Sequence, residues 1–510
     1  MNFARDTVDA ADPTARAMVE LRRDGERRTW TFGEVSDGAA RLAGGLVGRG
    51  VRRGDVVMTL VGNRAEWVLT MVACFRVGAV VLPCTEQLRP GDLRDRIDAV
   101  RPVLVVADVR NRDVLEAALE GDVPTPDVLW IPDPALLDAD PVPALELAPT
   151  DGCLITFTSG TSGRAKPVLH GQRYLAGQVV QAEHWLAGGP GDLVWCTAAS
   201  GWSKSARNVF IAPWLRGASA LLHDARFDPA ERLEIARRER VNVLCMAPTE
   251  YRVIAKRTTI PPLPDMRGLV AAGEALNPEV LHVWRAATGL SIRDGYGQTE
   301  TGQITGVPPD GEIRPGSMGR PLPGVRAWID DGELVVDPST VPTCFLRYLT
   351  PGAASPADGV DGPGGASRAD GPHHATDRAT GGPWRTGDRV HADEDGFLYF
   401  EGRTDDVIIS AGYRIGPFEV ESALVTHDAV AEAAVVAAPD PERGSVVRAV
   451  VVLRDGHDPS DALAAALQDH VKAATAPYKY PRIVEFVDAL PKTPSGKVRR
   501  ALLRDEGPRR

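Results

Sequence analysis

No C-x-x-C pair occurs in this sequence, and its six cysteines, Cys74, Cys84, Cys153, Cys196, Cys245 and Cys344, have no histidine cluster nearby. That spacing argues against a structural zinc site and against a disulfide-stapled scaffold. Scattered through apolar stretches, the cysteines read as buried free thiols of a reducing compartment. Long hydrophobic runs are missing too: the richest, Trp67 to Cys84, is broken by Arg76 and Gly78 before it could span a bilayer. No basic-then-apolar leader opens the chain, so a cytoplasmic location without a membrane span is expected. Basic stripes are absent except in the short tail from Lys497 to Arg510. With a net charge of −11, the chain repels phosphate backbones and nucleic acid is not an expected partner. No internal repeat is found.

What is present is the composition of an ordinary soluble enzyme, 43% hydrophobic and 25% charged, with ample apolar surface for packed cores. A chain of 510 residues exceeds what one core supports, so two to four folding units of roughly 150 residues each are expected, one of them large. Strand-like runs at Val56–Leu60, Ala79–Pro83, Val103–Ala107, Leu154–Phe157, Val243–Met246 and Leu269–Ala272 alternate with amphipathic segments such as Phe32–Leu46, Ala65–Val77 and Pro229–Arg240. Such alternation predicts layered α/β units with largely parallel sheets. Past residue 400 the pattern restarts as a smaller α+β unit: helix Pro417–Thr426, strands Ala431–Ala438 and Val446–Leu453, helix Pro459–Ala473. The polar run Gly402-Arg403-Thr404-Asp405-Asp406 sets the boundary at Asp405. The expected division is a large domain over 1–404 and a small domain over 405–510. The stretch 350–383 is rich in Gly, Pro, Ala, Asp and Ser and cannot bury enough surface to offset its ordering entropy, so a disordered surface loop is expected there. His373 and His374 within it read as a solvated pair rather than metal ligands.

Chemistry concentrates in a few motifs. Thr158-Ser159-Gly160-Thr161-Ser162-Gly163-Arg164-Ala165-Lys166-Pro167 directly follows a strand. Its small residues let backbone N–H groups approach phosphate oxygens, hydroxyls add donors, and Lys166 adds a point charge. It is not a Walker A loop, because Gly160 and Gly163 are too close and proline follows Lys166. Taken alone, a flexible Ser/Gly turn competes with the phosphate reading. In Asp294-Gly295-Tyr296-Gly297-Gln298-Thr299-Glu300-Thr301, Tyr296 could stack on a base and Glu300 could hold the Mg²⁺ that accompanies ATP. A bland aromatic turn is the competing reading. Further along come Trp384-Arg385-Thr386-Gly387-Asp388, Gly402-Arg403, Ser410-Ala411-Gly412-Tyr413-Arg414 and Pro491-Lys492-Thr493-Pro494-Ser495-Gly496-Lys497. Each alone could be a polar turn; their order and spacing are what raise them above that.

That ordered set resembles the adenylate-forming superfamily of acyl-CoA synthetases, peptide-synthetase adenylation domains and luciferases, over nearly the whole chain. Gly201-Trp202-Ser203-Lys204, Gly412-Tyr413-Arg414-Ile415-Gly416-Pro417 and Tyr478-Lys479-Tyr480-Pro481 look most like the medium-chain and aryl acyl-CoA synthetase branch. The resemblance implies that Thr158, Ser159, Gly160, Thr161, Ser162, Gly163 and Lys166 hold phosphates, and that Gly273, Glu274 and Ala275 line the adenine site. Asp294, Gly295, Tyr296 and Gly297 belong to the same nucleotide site, with Tyr296 stacking near the base. Thr299 would contact the α-phosphate and Glu300 the metal. Asp388 would bind the ribose hydroxyls with help from Arg403, while Arg414 and Lys497 would meet the reacting phosphate and carboxylate. Trp202, Ser203, Lys204 and Arg207 would face the acyl pocket, Gly412 the thiol tunnel, and Asp405 would be the hinge.

The implied reaction is ATP-dependent activation of a small medium-chain or aromatic acid as acyl-AMP, followed by transfer to coenzyme A, with ATP, Mg²⁺ and coenzyme A as cofactors. Transfer to a carrier protein or an amine is the alternative, and a non-catalytic nucleotide sensor a third. The sensor predicts decay at Glu300, Arg414 or Lys497, yet all three are present. Two departures stand out. Asp330–Tyr348 is shorter than the family pattern and precedes the 350–383 insertion. Arg207 stands where medium-chain relatives carry a bulky apolar pocket residue; a solvent-facing helix arginine is the first expectation and a pocket-facing one the alternative.

Overall fold

The computed structural model describes residues 1–121, 125–158, 165–273, 276, 278–349, 382–404, 406–410, 413–492 and 497–505. The expected loop 350–383 therefore lies almost entirely outside the described residues, with His373 and His374.

The large N-terminal part is built on two sheets. One has nine strands; its central strands Arg16–Leu21, Ser219–His223, Leu193–Cys196, Val243–Met246, Gly268–Ala272 and Ile292–Gln298 run parallel, with antiparallel strands at both edges. The other has seven strands, parallel from Gly152–Phe157 through Val80–Cys84, Val56–Leu60 and Leu104–Asp108 to Asp127–Ile131. Its other edge is the hairpin strand Pro167–Gly171, followed by Arg347–Tyr348.

The inner faces of both sheets share one core with the helices Phe32–Gly48 and Ala65–Val77. Thr31 starts the first of these with a capping box, its hydroxyl accepting from the Glu34 N–H while the Glu34 carboxylate accepts from the Thr31 N–H. Ala65–Val77 departs from the amphipathic expectation: every residue except Glu66 is buried. A helix packed between two sheets has no wet face, so an apolar surface all round is what it needs. The outer face of the nine-stranded sheet packs on Pro229–Arg238, Pro248–Arg257 and Pro278–Thr288, and that of the seven-stranded sheet on Pro90–Val100 and Arg112–Leu119. The order is thus helix, sheet, helix, sheet, helix, the α/β layering expected from the sequence.

The region 330–348 contributes strands to two sheets. Glu333–Val336 pairs with Ala327–Asp330 and with Trp384–Ala392 in a four-stranded antiparallel sheet, and Tyr348 pairs with Val168. After residue 406 a separate core gathers Ile408, Val420, Leu424, Val435, Val447 and Leu467. It joins helices Pro417–Val425 and Asp461–Ala474 to a sheet of Val430–Asp440, Gly444–Leu453 and Ile483–Phe486. Among the described residues no helix is long and apolar enough to cross a membrane, and the six cysteines are buried and free.

Candidate active site

Parallel strands aim their C-terminal ends at one edge of a sheet, where loops can converge on a ligand. In the nine-stranded sheet, Gly201–Lys204 follows Leu193–Cys196, Gly273 follows Gly268–Ala272, and Thr299 and Glu300 follow Ile292–Gln298. The sheet therefore collects at one edge three motifs separated by up to a hundred residues of sequence.

Two of them touch. The Lys204 ammonium donates to the Ala272 carbonyl at 3.1 Å, and a side chain on Gly273, whose φ is +106°, would meet that same nitrogen. Lys204 thus lies against Gly273, the first residue of the expected adenine site. Beside it Asp294 is buried and accepts from the Gly295 N–H at 2.8 Å; burial pushes its carboxyl up to about 8, and the charge of Lys204 offsets part of the shift. Gly297 is fixed by the antiparallel strand Gly302–Gly306: a methyl there would run into the Gly302 carbonyl.

The motif read as a phosphate cradle lies in sequence between the paired strands Gly152–Phe157 and Pro167–Gly171. At its mouth the Thr158 N–H donates to the Lys166 carbonyl at 3.0 Å and the Lys166 N–H to the Thr158 hydroxyl at 3.3 Å. Ser159, Gly160, Thr161, Ser162 and Gly163 lie outside the described residues, as do Glu274, Ala275, Asp405 and Gly412. The Lys166 ammonium sits 5.5 Å from the centre of the Tyr348 ring, and the Tyr348 hydroxyl donates to Glu300 Oε1 at 2.8 Å. Tyr348 therefore links the base of the hairpin to the acidic end of the Tyr296 motif. Burial raises the Glu300 carboxyl, an effect the Tyr348 bond opposes.

Asp388 is the third node. It is 4% exposed and collects the Tyr296 hydroxyl, the Gln298 side-chain amide at 2.8 Å and Arg403 Nη1 at 3.0 Å. Burial raises its carboxyl, and Arg403 pulls it back. Gln298 is held in turn by Trp384, whose indole N–H donates to its oxygen at 3.0 Å, and by its own bond to the Thr386 carbonyl at 2.7 Å. An acceptor-only carboxylate ringed by donors suits a hydroxyl-bearing ligand.

Residues 6–342 match the AMP-binding enzyme family, and 419–497 its C-terminal domain. The chain belongs to the AMP-binding enzyme family. Among curated relatives it is 38% identical over 504 residues to the uncharacterized acyl–CoA ligase YtcI of Bacillus subtilis (strain 168), covering 96% of this chain and 92% of that one. It is 35% identical over 536 residues to the mitochondrial acyl-coenzyme A synthetase ACSM3 of Rattus norvegicus, covering 99% and 90%. Among solved structures, the benzoate CoA ligase of Burkholderia xenovorans LB400 superposes with a TM-score of 0.83 at 26% identity, covering 99% of this chain and all of that one. The anthranilate CoA ligase AuaEII in complex with anthranoyl-AMP gives 0.85 at 27% identity, over 99% and 97%.

In this AMP-binding enzyme, Lys497 and Arg414 are carried by the C-terminal unit. Lys497 is exposed, one residue before the bridge between Val498 and Lys492, and Arg414 is on the strand Tyr413–Ile415. Trp202 and Ser203 are half-buried in the turn before Lys204. Arg207 corrects the first expectation: it is 4% exposed, in a helical turn packed inside the domain. Nothing in the linear spacing pointed to Tyr348 as a site neighbour, and Gln298 and Trp384 stood inside the quoted motifs without a role of their own. Tyr348 reaches Glu300 only because its strand pairs with the far edge of the phosphate hairpin.

Proposed function

We infer that this protein is an ATP-dependent, AMP-forming acid–thiol ligase that converts a small carboxylic acid to an acyl-adenylate and passes the acyl group to coenzyme A. The observation that carries this reading is the convergence of the phosphate hairpin, Glu300 with Tyr348, and Asp388 with Tyr296 and Arg403. It occurs in a chain aligned almost end to end with acyl-CoA ligases.

In the first step a carboxylate oxygen bonds to the α-phosphorus, the bond to the β-phosphate bridge breaks, and pyrophosphate leaves. Two anions must be held together, so positive charge and positioning dominate the catalysis. Lys166 and the hairpin backbone receive the outer phosphates, Thr299 the α-phosphate, and Asp388 with Arg403 the ribose; Arg414 and Lys497 meet the reacting groups. The residues present also fit magnesium: one half-buried carboxylate, Glu300, faces the base of the hairpin, and Mg²⁺ commonly binds through one or two carboxylates plus substrate phosphates. When bound there, Mg²⁺ would neutralise phosphate charge. In the second step the coenzyme A thiolate bonds to the acyl carbon and AMP leaves with the electron pair. Gly412 lines the thiol path, since a residue without Cβ lets the pantetheine pass close to the backbone. The small domain begins at a hinge, Asp405, and serves the two steps in turn. The six buried free cysteines support a reducing, cytoplasmic setting.

The test is a pyrophosphate-release screen across carboxylic acids, each with and without coenzyme A. Thioester should form with coenzyme A and not with a phosphopantetheinylated carrier protein. Lys497→Ala should abolish pyrophosphate release yet convert supplied acyl-adenylate to thioester, whereas Gly412→Leu should form adenylate and stall. Equal slowing of both steps in both variants would refute the division of labour.

A further inference from the structure

Six arginines are buried among the described residues, and they provide an internal comparison. Arg64 pairs with Asp108 and Glu66, Arg76 with Asp9, Arg232 with Glu250 and Arg448 with Glu485. Arg293 instead donates to the carbonyls of Trp185 and Val307. Arg207 is different. Its Nε and Nη1 have no hydrogen-bond partner among the described residues, and no carboxylate among them pairs with it. A buried guanidinium costs several kcal/mol of desolvation unless something compensates it, and fold stability gives no reason to keep one uncompensated.

Its surroundings sharpen the point. Tyr174 is in hydrogen-bonding reach of Arg207, but burial holds its phenol neutral. His170, its ring centre 4.2 Å from that of Tyr174 and tilted against it, is kept neutral by burial and by the charges of Arg207 and Arg173. Arg173 is itself bound by the Cys344 and Phe345 carbonyls. Two cations thus share an interior region with neutral neighbours, in a chain whose net charge is −11. The region adjoins the reaction site: Arg207 Nη1 lies 3.6 Å from where a Cβ on Gly302 would stand, two residues after Glu300.

We propose that Arg207 receives a second anionic group on the acid substrate, so that this ligase activates one carboxylate of a dicarboxylic acid while the guanidinium holds the other. The inference rests on the ligase reading above. The bound dicarboxylate supplies the missing counter-ion, and a monocarboxylate of the same skeleton leaves the guanidinium buried and unpaired. A site built around such a polar contact rejects the analogue lacking it far more strongly than a pocket distinguishes methylene groups.

The experiment measures coenzyme A thioester formation with carbon-matched pairs: C4 to C8 monocarboxylates against the corresponding dicarboxylates, and benzoate against the three benzenedicarboxylates. Wild-type enzyme should favour at least one dicarboxylate over its partner by about 100-fold or more in kcat/KM. Arg207→Met should reverse that preference, and Arg207→Lys should keep part of it. Melting without ligand gives a second readout: Arg207→Met should be as stable as wild type or more so, and only wild type should be stabilised by the preferred dicarboxylate. If wild type turns over monocarboxylates with coenzyme A and prefers no dicarboxylate, the substrate class is overturned and the ligase reading stands. Destabilisation of Arg207→Met with an unchanged substrate ranking would make Arg207 a structural residue and overturn the proposal. Turnover of neither set would overturn the ligase reading, and the proposal with it.

Discussion

His170 offers a direct measure of how dry and how positive the interior beside the site is. Its ring is fully buried, touches the Thr156 hydroxyl at 3.4 Å and faces Tyr174, Arg207 and Arg173. Burial first, then the two arginine charges, lower its proton affinity from the ordinary 6.5 to about 3. A group whose folded value lies below its unfolded value favours folding only while neutral. Stability is therefore intact above the unfolded value of 6.5 and is lost as pH falls towards 3. At about pH 5 the unfolded chain has taken up a proton that the folded chain refuses, a difference of about 1.5 units, or about 2 kcal/mol. His170→Gln removes the titration and keeps a polar side chain. At about pH 8 the variant should be the less stable, through lost packing; at about pH 5 the gap should shrink by about 2 kcal/mol. Urea unfolding of both proteins at the two pH values, compared at equal slope, measures this directly. A gap independent of pH would mean that the imidazole titrates alike in both states, and the enclosed, arginine-flanked environment would be wrong. Arg207→Met should move the His170 transition upward, since it deletes one of the two repelling charges.

Asp388→Asn places an amide NH₂ among the three donors of Tyr296, Gln298 and Arg403, so kcat/KM for ATP should fall by about 100-fold with the fold retained. An ATP–pyrophosphate exchange assay with a circular dichroism control checks it; unchanged exchange would remove Asp388 from the nucleotide site. Gly297→Ala drives a methyl into the Gly302 carbonyl across an antiparallel pair and should cost about 1–3 kcal/mol of stability. Nucleotide affinity should fall with it, and calorimetric titration with ATP together with a thermal melt reads both; a variant that melts and binds like wild type would refute the tight crossing.

Much of this protein is legible in one dimension because the determining interactions are local. Strands Val56–Leu60 and Val243–Met246 and the helix Ala65–Val77 lie at their predicted bounds, since apolar period and breaker residues act over a few neighbours. The helix predicted to Arg240 stops at Arg238, and Arg240 itself takes a φ of +57° as the chain turns into the next strand. Motif order likewise placed Tyr296, Glu300, Asp388 and Arg403 in one family's site without any contact being known. Tertiary structure alone decided the rest. Whether Ala65–Val77 has a wet face depends on a second sheet that closes over it. The partner of Glu300 depends on strand pairing between residues 348 and 168, a separation that leaves no periodic trace in sequence. Arg207 is the sharpest case: nothing in its neighbours distinguishes a surface helix from a buried turn. Burial is a property of what packs against a residue from distant parts of the chain, and so only the fold could turn that arginine from a solvated charge into a buried one without a carboxylate partner among the described residues.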